Sequence, residues 1–206
     1  MPLAAILTDF RSDVAQCDSL IANAHRADAN GVHLLPEMDR QQITVAAFLN
    51  FFIAWEKFLE NCIYDLMLGQ PTISGTQPAK RVSPLARSDA YEMVKGNGKY
   101  FDFANREFVR RMVRLYFDNG YPFEPHLSSA WTELQDIRTI RNSTAHIQTT
   151  TQVAFDGLVT RIFAAPRTGM TVYQLLTAIH PNNAAVTIFA HYRDTMLTTA
   201  QNIATG

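Results

Sequence analysis

The sequence predicts an all-α protein, a bundle of five to seven helices in a single domain spanning residues 1–206. Apolar residues recur at three- and four-residue steps along most of the chain. The strict alternation that marks half-buried strands is nearly absent, and no internal repeat of 20–50 residues is visible. At 206 residues, with 47% apolar and 18% charged residues, the chain can bury roughly 70% of its unfolded surface, as expected of a soluble globular protein.

Residues 3–28 contain no Pro or Gly, and Leu3, Ile6, Leu7, Phe10, Val14, Cys17, Leu20, Ile21 and Ala24 lie along one stripe. This predicts a long amphipathic first helix stopping near Asn30-Gly31, a C-terminal signal. The second helix begins after Pro36 and runs to Gly69. Phe48, Phe52, Trp55, Leu59, Cys62 and Leu66 alternate four- and three-residue steps, and Phe51, Phe58 and Ile63 add a second apolar edge. A helix this apolar around its circumference belongs at the centre. The three prolines and Gly75 of residues 70–85 predict a loop. A short helical piece follows at 86–95, then a helix at about 103–118 ending at Asn119-Gly120. YPFEPHLSS reads as a loop, with Ser128 or Ser129 as N-cap of a helix at 130–147 and Glu133 in its first turns. Two or three weaker helices fill 149–164, 171–179 and 187–204, divided by Pro166 and by Pro181-Asn182-Asn183.

No apolar run approaches the roughly 18 residues that span a bilayer, so no membrane insertion is expected. The N-terminus has no basic segment and reaches Asp9 before an apolar core can form, which argues against a secretory signal and for a cytoplasmic location. Cys17 and Cys62 are the only thiols, form no C-x-x-C and read as core residues. Eighteen basic residues against nineteen acidic give a net charge of −1, which by itself points to no polyanion. The distribution says more. Residues 1–79 carry four bases against nine acids, whereas residues 80–114 carry nine against four, a basic island.

No H-E-x-x-H, G-x-S-x-G or paired Cys is present, so zinc-hydrolase and triad chemistry lose their support and no metal or cofactor is expected. Gly96-Asn97-Gly98-Lys99 has the ending of a phosphate-binding loop, but Tyr100 stands where Ser or Thr is needed and no upstream strand or first glycine is in place. It reads as a turn. The segment Arg138-Thr139-Ile140-Arg141-Asn142-Ser143-Thr144-Ala145-His146 is different. Arg138, Asn142 and His146 are four apart and share a helix face, whereas Arg141 and His146 are five apart and diverge by roughly 140°. Two copies of this helix meeting antiparallel across a two-fold axis would bring each Arg to the other's His. Such a cleft suits phosphodiester chemistry: arginine stabilises charge on the phosphate, and an imidazole of reference pKa ~6.5 moves protons at neutral pH. A plainer role for the same bases is to complement the helix dipole and cap carbonyls, with Asn142 helping to end the helix.

The string R-N-x-x-A-H, filled by Arg141, Asn142, Ala145 and His146 on a late helix, resembles the R-x4-H signature of the HEPN-domain ribonucleases. The resemblance extends to the aromatic second helix with its Trp55-Glu56-Lys57-Phe58-Leu59 segment and covers about residues 1–165, leaving 166–206 as a C-terminal helical extension. It implies a HEPN-like bundle acting as a two-fold homodimer, and a metal-independent endoribonuclease whose catalytic residues are Arg141 and His146. In that chemistry the RNA 2′-hydroxyl attacks, leaving a 2′,3′-cyclic phosphate. Members commonly act as toxins or as antiviral defence effectors, so an antitoxin or defence-system partner protein is a further expectation. Glu56 best matches the acid that orients the motif arginine in several groups, with Asn142 and Arg138 as supporting residues. The subtype neutralised by a nucleotidyltransferase carries a Tyr soon after the His, but Ile147-Gln148-Thr149 follows here, so that antitoxin is not implied.

Arg110, Arg111 and Arg114, with Arg106, read as one broad basic face on the 103–118 helix, suited to an RNA backbone, with Lys95 and Lys99 nearby in sequence. The same stripe would also serve as a solvated face. The competing function is a catalytically inactive helical module that dimerises or holds a partner protein.

Overall fold

A computed structural model describes residues 2–145 and 148–206. Among these the chain forms α1 (Leu3–Ala24), α2 (Glu37–Met67), α3 (Arg87–Lys95), α4 (Arg106–Tyr116), α5 (Phe123–Ser129), α6 (Trp131–Ala145), α7 (Thr149–Phe163), α8 (Val172–Thr177) and α9 (Ile188–Thr205), with one hairpin, β1 (Ile179–His180) and β2 (Asn183–Thr187). The all-α expectation holds. The count exceeds the expected five to seven: the short pieces expected at 86–95 and 171–179 are helices of their own, α3 and α8, and α5, with only seven residues, lies in a segment read as loop. No helix among the described residues is long and apolar enough to cross a membrane.

Four local outcomes depart from the sequence reading. Helix α1 ends at Ala24, because Asp28 Oδ1 accepts from Asn30 N (2.8 Å) and Val32 N (2.9 Å) and folds the chain back at Gly31 (φ 80°). Helix α4 starts later than residue 103, since the Asn105 side chain caps it by accepting from Glu107 N and Phe108 N. The expected loop YPFEPHLSS is largely helical: Pro125 falls in the first turn of α5, where no intrahelical partner is needed. Ser128 and Ser129 are therefore not N-caps of α6 but belong to α5, donating to Glu124 Oε1 (3.2 Å) and the His126 carbonyl (2.8 Å). Around Pro181-Asn182 the chain forms the antiparallel hairpin β1–β2, whose strands are too short to show alternation.

The chain divides into two compact units. The first comprises Met1–Arg11, Ala54–Leu134 and Thr195–Gly206, the second Ser12–Ile53 and Gln135–Asp194. The first unit's core gathers Phe10, Phe58, Ile63, Phe117 and Phe123, all at most 2% exposed, with the Phe10 and Phe58 rings 5.2 Å apart. Its α2 segment ends where Lys80 Nζ donates to the Met67 carbonyl at 2.6 Å, satisfying an orphan acceptor at the negative end of the helix. The second unit's core joins Phe48 and Phe51 of α2 to Ile137 and Ile140 of α6, Phe155 of α7 and Phe189 of α9; the Phe51 and Phe189 rings meet edge to face at 5.7 Å. The seam residues Phe48, Phe52, Trp55, Leu59, Cys62 and Leu66 are all buried. Both cysteines are buried free thiols: burial with Asp18 and Asp13 nearby pushes Cys17 up to about 11, and burial also pushes Cys62 well above the ordinary thiol value.

Candidate active site on α6

Helix α6 is fixed in the second unit by apolar Ile137 and Ile140, both fully buried, and by one buried carboxylate. Asp136, 7% exposed, accepts from the Arg161 guanidinium of α7 and from Tyr192 Oη of α9 at 3.0 Å. A buried carboxylate costs several kcal/mol unless it is paired and hydrogen-bonded, and these two donors supply both conditions. Asp136 thereby sets the rotation of α6 just five residues before Arg141.

Beyond Ile140 the helix surfaces. Arg141, Asn142, Ser143 and Thr144 are half-buried. Ser143 Oγ donates to the Ile140 carbonyl (2.8 Å) and Thr144 Oγ1 to the Arg141 carbonyl (2.6 Å), local bonds that compete with the helical ladder and loosen the last turn. Arg141 donates through Nη1 to Asn142 Oδ1 (3.2 Å), and its Cζ lies 5.9 Å from the centre of the Phe52 ring. Both contacts are with uncharged groups. Asn142 thus holds the guanidinium without neutralising it. Arg138, one turn before Asn142, is half-buried on the same helix. His146 lies outside the described residues. Glu56 is a half-buried residue of α2 in the first unit, whereas the motif belongs to the second.

The arginines of α4 behave otherwise. Arg106 lies over the Trp131 ring at 3.6 Å and donates to the Trp131 carbonyl. Arg110 Nε and Arg114 Nη2 both donate at 2.6 Å to the same oxygen of Glu124, a carboxylate 9% exposed on α5. Arg106, Arg110 and Arg114 therefore bond to α5 and the start of α6, while Arg111 and Arg114 are the two exposed to solvent. Sequence reasoning missed Glu124 because α5 read as loop. Gly120 makes the junction possible. It is buried at φ +70°, and a Cβ there would stand 2.9 Å from Glu124 Cβ. Elsewhere in the basic island Arg87 pairs with Asp65 (2.6 Å), Lys95 with Glu92 (2.6 Å) and Arg81 with Asp118 (3.1 Å). Much of its charge serves internal ties.

Histidines that are scattered in sequence gather in the second unit. The His25 ring lies edge-on to His33 at 6.1 Å and stacked on Tyr173 at 5.9 Å; His180 lies 4.4 Å from His191. Among the described residues no group of three or more His, Cys, Asp or Glu side chains is placed to hold a metal ion. The chain matches no protein-family model, no curated protein and no solved structure.

Proposed function

We propose that this chain is a HEPN-type, metal-independent endoribonuclease, with Arg141 and His146 as catalytic residues and Asn142 as the residue that positions Arg141. The observation that carries the reading is the state of Arg141. It is a half-buried guanidinium at the end of an anchored helix, and among the described residues its partners are an amide and a phenyl ring rather than a carboxylate. A guanidinium in that state keeps its full charge for a phosphate, with its planar fork already oriented.

In the reaction, Arg141 stabilises the charge that builds on the scissile phosphate. His146 takes a proton from the attacking 2′-hydroxyl or gives one to the departing 5′-oxygen. The i,i+5 spacing splays Arg141 and His146 on one helix, so the proposal includes a two-fold dimer in which α6 lies beside its symmetry mate and the site is composite. A toxin or antiviral effector, held in check by a partner protein, is the biological role that fits a self-sufficient RNase.

The test is to incubate the purified protein with total RNA in EDTA and to examine the fragment ends. Fragments ending in 2′,3′-cyclic phosphate, lost in His146→Ala, support the assignment. Intact RNA, with a monomeric solution mass, would sink it and leave the inactive helical interaction module as the better account. Expression in cells separates the two readings again: arrest caused by cleavage is relieved by His146→Ala, whereas arrest caused by partner binding persists.

A further inference from the structure

The second unit holds a cationic cluster unrelated to the motif on α6. Arg40 and Thr44 stand one turn apart on α2 and so share a face. Thr44, 1% exposed, shares a hydrogen bond with His25 Nε2 (3.1 Å), which fixes the imidazole at the end of α1. His33, on the returning loop, meets the His25 ring edge-on at 6.1 Å, and Tyr173 of α8 stacks on the His25 ring at 5.9 Å with the planes 11° apart. Burial lowers the His25 pKa, and Arg40 and His33 lower it further. Arg40 itself is half-buried, and its Nε is a buried donor with no hydrogen bond among the described residues. Burying a donor unpaired costs free energy, and an anion that accepts from the Arg40 guanidinium would offset that cost.

Beside the cluster runs a groove of about 440 Å³, lined by Gln41, Val45, Leu49, Val172 and Tyr173. Its walls are mostly apolar and its volume falls in the range that takes small organic ligands, ~300–1,000 Å³. Tyr173, which stacks on His25 and lines the groove, belongs to both features, so the groove borders the cluster. Glu37, the nearby acid of the first turn of α2, accepts from Gln41 Nε2 at 3.0 Å. An anionic head joined to a flat apolar body is the chemistry this combination fits.

We propose that His25, His33, Arg40 and the groove beside Tyr173 form a binding site for a nucleoside phosphate. The phosphate engages Arg40 and His33, and the base lies against Tyr173 and Val45. The site does not depend on the ribonuclease reading, since binding is measured without cleavage.

Isothermal titration of the full chain tests it, using AMP, adenosine, inorganic phosphate and a five-residue DNA oligonucleotide, which has no 2′-hydroxyl to be cut. AMP is expected to bind at least about tenfold more tightly than adenosine or phosphate, the scale of one or two charge-assisted hydrogen bonds. Arg40→Gln and His33→Gln should each weaken AMP about tenfold while leaving circular dichroism unchanged. Val45→Glu should weaken AMP more than phosphate, because it blocks only the groove. An oligonucleotide binding more tightly than AMP identifies a strand as the source of the phosphate; equal affinities identify a free nucleotide. Lowering the pH from 8 to 6 should tighten AMP, since imidazole protonation favours the anion. No measurable binding of any probe, or equal binding by wild type and a folded Arg40→Gln protein, overturns the proposal.

Discussion

Arg110 and Arg114 on α4 converge on a single oxygen of the buried Glu124, while Arg141 on α6 meets an amide and an aromatic ring. The same side chain has been put to opposite uses. On α4 two guanidiniums share one carboxylate, which leaves one net positive charge but occupies both side chains and ties α4 to the shorter α5. On α6 the fork is held and the charge is left. The difference lies in what the facing segment offers: α5 supplies a carboxylate in its first turn, whereas α2 offers Phe52. An arginine's number of apolar neighbours says little about its role, but the charge of its partner says a great deal.

The largest expected effect breaks or upholds that contrast directly. Arg141→Ala and His146→Ala should each lower RNA cleavage by ~10²–10⁴-fold, the scale of losing a general acid–base or an electrostatic stabiliser. Helicity and dimer mass should be unchanged. Arg114→Ala should leave the cleavage rate within about threefold, because its guanidinium serves α5. A rate loss at Arg114 equal to that at Arg141 erases the distinction.

Stability should show the reverse order. Removing one member of a buried ion pair costs ~3–5 kcal/mol. Here the Arg114 side chain is 53% exposed, and solvent screening reduces its share, so Glu124→Ala should cost about 1–3 kcal/mol in urea unfolding. Arg141→Ala should stay within about 0.5 kcal/mol. Gly120→Ala tests the same junction through its backbone. A positive φ and a Cβ contact at 2.9 Å should cost about 1–3 kcal/mol. A neutral Glu124→Ala would mean that α5 is held by Phe123 and Leu127 alone.

How much of this was legible in the sequence follows from where each signal resides. Helices α1, α2 and α6 were legible because a long apolar period survives local exceptions. Helix α5 was not, because Pro122 and Pro125 imitate a loop and seven residues give too short a period. The pair Arg141 and Asn142 was visible as a motif, and its neutral surroundings were not. Glu124 and Asp136 act on partners 10 to 56 residues away, and such pairing leaves no periodic trace. The same holds for His25, His33 and Arg40, which converge only because Asp28 turns the chain back after α1.

RNA affinity offers a smaller effect. Each phosphate contact to a single strand contributes about 0.7 to the slope of log affinity against log salt. Arg111 is exposed and, among the described residues, is not one of the arginines bonded to Glu124, so Arg111→Glu alone should reduce the slope by about 0.7 without loss of stability. Reversing Arg110 and Arg114 as well should mainly destabilise the fold. A drop of about 2 for a stably folded triple reversal would show all three on RNA, and an unchanged slope would return α4 to a solvated face.

The smallest effect is in pH, and it bears on the cations of the second unit. Burial lowers the pKa of His25 and His180, with Arg40 and His33 adding to the first and His191 to the second; burial also lowers His126 in the first unit. In each case the folded chain binds a proton less readily than the unfolded chain. Below the ordinary histidine value of ~6.5 the unfolded state therefore holds more protons, and stability rises with pH. The contribution is complete above that value and is lost as the pH falls through it towards the depressed folded values. The melting temperature should decline between pH 7.5 and 5.5, a window above most carboxylate titration. His25→Gln should flatten part of that decline, and AMP should restore part of it in wild type by favouring the protonated cluster, but not in Arg40→Gln. A melting temperature that rises on acidification, or an AMP effect that survives Arg40→Gln, would separate the lowered imidazoles from any anion site and count against the proposed site in this unit.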